Sequence, residues 1–361
     1  MQQRIANRHA YSADLAMASY EIDFFGRVRN LTEQALQTYL QSEDAQRTTQ
    51  GTLVSEVTLA WLTLGTNREQ LALQKETLAS QEESFRLVGE SYKYGAASRL
   101  DYEQARTTVA SARAAITTYV RAVAQSKNAL ELLVGSKVPD ELQPSGVELA
   151  ATLPATLPAG LPSEVLLNRP DIISAERGMI SANANIGAAR AAFFPSISLT
   201  ANAGSASAHL SDLFGANTGL WSFTPSISIP IFTGGRNLAN LRSAEVQEKI
   251  AVATYEKSIQ TAFQEVADAL ATEGTVEREL KERREFADAA SQAFELSSAR
   301  YKHGAAAYTE VLDAQRTKVS AQQAVITAEL SRASSLVTLY KVLGGGTELP
   351  EPAKTTEGAE K

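Results

Sequence analysis

Asp313 and Arg316 lie three residues apart in "VLDAQRTKV", the spacing that puts two side chains on one face of a helix. Opposite charges so placed form an ion pair; on an exposed helix it contributes about 0.2–0.5 kcal/mol. Asp101 and Glu310 are a second set, matched at positions 209 residues apart. Such acids are either ordinary solvated charges or, when ringed around a pore, a filter favouring cations. Each follows a shared Tyr-Lys-x-Gly-Ala-Ala stretch, "SYKYGAASRLD" around Gly95 and "RYKHGAAAYTE" around Gly304. Glycine there permits φ > 0, as at the end of a helix. The small residues Ala96, Ala97, Ala305 and Ala306 let another backbone approach closely. These stretches read either as tight turns between helices or as tips on which a partner docks.

Little else in the chain could do chemistry. There is no cysteine, so neither a disulfide framework nor a thiolate metal site is available. His9, His209 and His303 are scattered, without metal-ligand spacing. A Walker loop, a G-x-S-x-G elbow and a Rossmann fingerprint at a strand-to-helix turn are all lacking. We therefore expect no catalytic residue, no metal, no cofactor and no enzyme. The net charge of −7 is not relieved by any basic block, which makes nucleic acid an unsuitable partner. Trp61 and Trp221 suit packing or a membrane interface better than ligand binding, and Trp221 beside a strand suits an aromatic girdle.

The elements that would position these residues come from an internal repeat. Sliding the 361-residue chain by 209 aligns residues 26–135 with 235–344 without a gap. About a quarter of the positions are identical, well above chance. Gly26-Arg27 meets Gly235-Arg236, Glu56-Val57 meets Glu265-Val266, and Gly65-Thr66 meets Gly274-Thr275. Long helices tolerate no insertion, since one residue rotates everything beyond it by about 100°. Val57, Leu64, Leu71, Leu78 and Phe85 recur at heptad spacing, as do Val109, Ile116, Val123 and Leu130. In the second copy Leu312, Val319, Ile326, Ala333 and Tyr340 do the same. The limb before each turn is roughly 65–70 residues, or about 100 Å of helix, and the limb after it about 35 residues. By period alone this is an antiparallel coiled-coil scaffold.

Strands separate the copies. "FFPSISLTANAG" from Phe193 and "SFTPSISIPIF" from Ser222 each alternate apolar with small polar residues. Tyr20, Ile22 and Phe24 alternate likewise with Ser19, Glu21 and Asp23. The segments expected are a partial strand of repeat 1 over 1–25, a long helical hairpin over 26–135, and an extended proline-rich linker over 136–170. A helix over 171–192, a strand hairpin over 193–233, a second helical hairpin over 234–344 and a disordered tail over 345–361 complete them. Strands of about ten residues, apolar on one face and Ser/Thr-rich on the other, match a membrane β-barrel around a wet lumen, although a half-buried hairpin alternates in the same way. No apolar run reaches the length of about 18 residues that a transmembrane helix needs. Arg4 and Arg8 near the start are not followed by the apolar stretch of a signal peptide.

These residues resemble a known family. "RPDIISAERGMISANANIGAARAAFFPSISLTANAG" is similar to the signature of the TolC-type outer-membrane factors, in particular the OprM-like branch of multidrug efflux systems. "YEIDFFGRVRN" and "IPIFTGGRNLANL" resemble the family's strand-to-helix corners, and "RYKHGAAAYTEVLDAQRT" its periplasmic turn. The resemblance covers residues 10 to 345 and implies an α+β, mostly α fold. In that fold an outer-membrane β-barrel, shared by a homotrimer in lipid, continues as a long periplasmic α-helical barrel. A periplasmic adaptor and, through it, an inner-membrane RND transporter would dock the tube, which would conduct drugs or other small molecules passively. Tyr301, Asp313 and Arg316 match positions of the periplasmic gate, and the two Gly-Ala-Ala turns match adaptor-docking tips. A type I secretion duct for proteins and a non-conducting scaffold remain the alternatives. By the 209 shift, the counterparts of residues 171–190 and 194–203 fall before Met1. We therefore expect an N-terminal truncation of roughly 40 residues or more, the missing part carrying the export signal and any lipidated cysteine.

Overall fold

The computed structural model describes residues 10–146 and 168–345. His9, most of the proline-rich linker and the tail beyond residue 345 lie outside the described residues. The elements run β1 (Tyr11–Ile22), α1 (Arg27–Lys93), α2 (Arg99–Val134), α3 (Pro170–Ala191), β2 (Ser196–Ser207), β3 (Gly219–Ser228), α4 (Arg236–Lys302) and α5 (Tyr308–Val342). They fall into two compact units, neither contiguous in sequence. One comprises residues 1–45 and 171–258, the other 46–170 and 259–361. None of the described helices is long and apolar enough to cross a membrane.

The first unit carries an antiparallel sheet in the order β1-β2-β3. Its register sorts side chains by face. Leu15, Ala203 and Trp221 share one face, as do Ile22, Ile197 and Ile227; Ser198 and Ser226 share the other with Glu21. A bulge between Met17 and Tyr20 sets one extra residue against β2. Without it, Tyr20 and Ile22 would turn to the polar face. The second and third strands are shifted from where their alternation places them, β2 running on to Ser207 and β3 starting at Gly219. The chain turns through Phe193 and Phe194, whose N–H groups donate to the Arg190 and Ala191 carbonyls, before β2 starts at Ser196. β3 stops at Ser228, just ahead of Pro230, which has no N–H for the ladder; Ile229 and Ile231 lie beyond it.

In the same unit α3 packs on the first part of α1 at small residues. A Cβ on Gly187 would fall inside the Asn30 side chain. Arg177 Nε donates to Asp44 Oδ2 at 2.8 Å, and the Asp44 side chain is only 4% exposed. Removing the guanidinium from a carboxylate buried to this degree costs about 3–5 kcal/mol.

In the second unit the limbs of each hairpin and the two hairpins pack together. Leu62, Ala333 and Val337 form one buried cluster; Ala287, Ala290 and Ala321 form another. The buried stripe in the middle of α1 differs from the heptad pattern. Thr66, Gln70, Gln74 and Thr77 are buried, whereas Leu71 and Leu78 are only half-buried. Gln70 Nε2 donates to the Gln323 carbonyl of α5 at 3.1 Å, so part of this contact is polar. Trp61 Nε1 donates to the Leu142 carbonyl at 2.8 Å, a packing role. Buried Arg169 donates to the Val342 carbonyl at 3.0 Å and pairs with Glu265 at 2.7 Å, closing the end of α5.

Candidate functional site

Both turns end their helices in the same way. Gly95 has φ 76° and Gly304 φ 73°. The Gly95 N–H donates to the Tyr92 carbonyl at 3.0 Å and the Ala96 N–H to Ser91 at 2.8 Å; Gly304 and Ala305 repeat this with Tyr301 and Arg300 at 2.9 and 2.8 Å. This double bond pattern around a left-handed residue is the Schellman motif, and it satisfies carbonyls that a helix end leaves open. No atom lies within 4 Å of where a Cβ would stand on either glycine. The glycines are therefore required for backbone torsion, not for space. Ala96 and Ala305 are exposed, and Ala97 and Ala306 half-buried.

The two turns lie side by side. Val88 and Ala105 of the first hairpin share a buried cluster with Tyr308, Val311 and Leu312 of the second. Tyr92 stacks on Tyr102 at 5.3 Å, and Tyr301 tilts against Tyr308 at 5.2 Å. Burial, followed by the charges of Tyr301 and Asp101, pushes the Tyr308 phenol up to about 12. Burial and then Asp101 also raise Tyr301.

The four charged candidates divide by partner. Asp101 closes a capping box: the Ser98 Oγ accepts from the Asp101 N–H at 3.1 Å, and Asp101 Oδ2 accepts from the Ser98 N–H at 3.0 Å. Glu310, its counterpart, pairs with Arg300 at 3.5 Å, and Ala307 at the cap position offers no side-chain acceptor. Arg316 Nη1 reaches Asp313 Oδ1 at 3.4 Å, with side chains 70% and 77% exposed. Tyr301 packs against Tyr308 and feels Asp101, beside the buried cluster that holds Val311 and Leu312. In sequence the capping box has the form S-x-x-D at a helix start, a signal that a search for charge pairs passes over.

The strand-to-helix corner is the other built feature. Asp23 accepts from the N–H groups of Val28 and Arg29, at 3.1 and 2.8 Å, across the first turn of α1. Burial works against the Asp23 charge, yet these bonds and Arg29 together hold its carboxyl below the usual range. Among the described residues no cluster of His, Asp and Glu could hold a metal ion.

Comparison with known proteins gives one consistent result. The family profile described as "Outer membrane efflux protein" matches residues 4–136 and 161–345. The solvent efflux pump outer membrane protein SrpC of Pseudomonas putida is 50% identical over 330 residues, covering 91% of this chain and 70% of that protein. Outer membrane protein OprJ of Pseudomonas aeruginosa is 45% identical, over 93% and 70%. The open-state crystal structure of the MtrE outer membrane channel of Neisseria gonorrhoeae superposes with a TM-score of 0.82 at 39% identity, covering 94% of this chain and 76% of that one. A profile over nearly the whole chain and relatives half identical to it leave one assignment: the protein belongs to the outer membrane efflux protein family and has the mostly helical fold of the TolC-type channels.

Proposed function

We propose that this protein is the outer-membrane exit channel of a tripartite, RND-type efflux pump, conducting small molecules passively to the cell exterior. The observation that carries this reading is the sheet. One face is apolar and open to solvent in the single chain, from Leu15 to Trp221 and Ile227, while the other is lined with Ser, Thr and Asn. That is how a strand set divides between lipid and a water-filled lumen. Relatives of the chain are named for solvent, toluene and antibiotic efflux. A homotrimer would close the barrel, and a periplasmic adaptor would dock on the tips at Gly95-Ala96-Ala97 and Gly304-Ala305-Ala306. Asp313 and Arg316, together with Tyr301, would hold the periplasmic aperture shut, and Asp101 and Glu310 would bias it towards cations.

Exposed ion pairs are worth about 0.2–1 kcal/mol each, so a ring of them is weak enough for a docked partner to open. The test is single-channel conductance in a planar bilayer, comparing wild type with the Asp313→Ala, Arg316→Ala double variant. Low conductance that rises several-fold in the variant is the expected result. An open channel left unchanged by the substitutions would retire the gate, and a folded protein that forms no channel would overturn the reading itself.

A further inference from the structure

Two arginines stand at the two strand-to-helix corners, and only one of them is answered by an acid. The 209-residue repeat sets Arg27 against Arg236, each directly after a glycine with positive φ, Gly26 at 78° and Gly235 at 84°. At the first corner Arg27 Nε donates to Glu21 Oε1 at 2.8 Å, and Arg29 pairs with Asp23 at 3.3 Å. Those four charges close on one another. The same shift puts Pro230 where Glu21 stands and Phe232 where Asp23 stands. Arg236 keeps its charge and has lost both acids; it is exposed and makes no ion pair among the described residues.

Arg236 is also placed in a cavity. A hollow of about 270 Å³ is lined by Arg236 together with Phe24, Phe25 and Phe194, and also by Glu21, Asp23 and Arg27 of the first corner, whose two acids are already engaged by Arg27 and Arg29. Phe25 and Phe194 stack at 4.8 Å, which fixes one wall. Phe24 in that wall is exposed, as are Ile231 and Phe232 ahead of α4, Phe232 to 91%. A guanidinium without an acid partner and a hollow walled by aromatic rings therefore meet where the apolar sheet ends. Guanidinium binds phosphate oxygens in a fork, and apolar groups at that depth of a membrane meet glycerol and upper acyl carbons.

We propose that this corner is a phospholipid headgroup site, in which Arg236 holds the lipid phosphate and the Phe24–Phe194 wall covers the glycerol region. The proposal rests on the sheet lying in the outer membrane. A free phosphate ion would satisfy Arg236 but would gain nothing from the apolar rim.

The test is native mass spectrometry of the full chain in detergent, delipidated and then supplied with phosphatidylglycerol or with inorganic phosphate. Wild type should retain the lipid. Arg236→Gln should retain about tenfold less, the loss of one charge-assisted contact. Pro230→Glu, which restores to this corner the acid of the first, should lose a similar share. Lys249→Gln, which removes an exposed cation elsewhere on α4, should bind like wild type. Equal retention by wild type and Arg236→Gln overturns the site, as does an equal loss in Lys249→Gln. Displacement of the lipid by inorganic phosphate would make it a free-anion site and overturn the lipid assignment. The heat-modifiable β signal of each preparation reports separately on the barrel: lipid loss with that signal intact concerns this site alone, and its absence in wild type would count against the channel reading.

Discussion

Tyr308 is a phenol sealed between two helical hairpins, and its acidity is an exposed consequence of that burial. A group whose folded pKa is raised contributes stability that is complete below its unfolded value of 10.0 and lost as pH rises through the folded value of about 12. The contact between the tips should therefore loosen between pH 10 and 12. Tyr308→Phe removes the titrating proton and keeps the ring, so it should flatten that part of the profile; thermal melts across the alkaline range will measure it. A slope equal to that of wild type would place the titration elsewhere. At this scale the sequence was partly legible. The Asp313–Arg316 pair follows from spacing alone, because a helix face is a fixed geometry. The burial of Tyr308 does not, because it depends on which face of a second hairpin arrives against it. The buried glutamines Gln70 and Gln74 were missed for the same reason: a heptad search looks for apolar residues, and here a polar helix-to-helix contact took their place.

At the scale of elements, the two hairpins are near copies with unequal caps. Ser98 and Asp101 close the start of α2, while Ala307 leaves the start of α5 without a side-chain cap. Ser98→Ala should destabilise its tip by about 1 kcal/mol, and Ala307→Ser should stabilise the other by a similar amount, since it creates S-x-x-E with Glu310. Hydrogen exchange at the first turns of α2 and α5 would read both; unchanged protection at each would mean that the caps are not limiting. Docking belongs to this scale too. A bulky residue on Gly304 would mix backbone strain with occlusion, because its φ is positive. Ala305→Trp is the cleaner variant, and it should abolish adaptor crosslinking without altering the fold. Crosslinking that survives it would move the docking surface away from the tip. The helices themselves were legible from a gapless repeat and from glycines at their ends. The strand ends were not, because Phe193, Phe194, Ile229 and Ile231 continue the alternation past the point where turn bonds and Pro230 stop the ladder.

For the whole molecule, the compact units and the sequence repeat divide the chain differently. Each unit draws on both copies, so neither copy supplies a core by itself. The apolar sheet face has no cover within one chain, with Trp221 79% and Leu15 84% exposed. In the proposed channel, lipid and neighbouring copies would supply it. We expect the protein to stay dispersed only in detergent or lipid and to have the mass of three chains there, by light scattering corrected for detergent; a dispersed monomer with a folded sheet would overturn the shared barrel. The family was legible because the motifs at corners and turns survive as continuous stretches, whereas faces assembled from distant segments leave no such trace.

The empty space beside Gly95 and Gly304 has a further consequence. Nothing crowds those positions, and only their torsion excludes ordinary side chains. The constraint is one of handedness: a D-amino acid would fit where its L counterpart is strained by about 1–2 kcal/mol. The two tips are thus points at which chemical synthesis could install a mirror-image residue bearing a probe, at the surface where a partner is proposed to arrive, with the helix end left as it is.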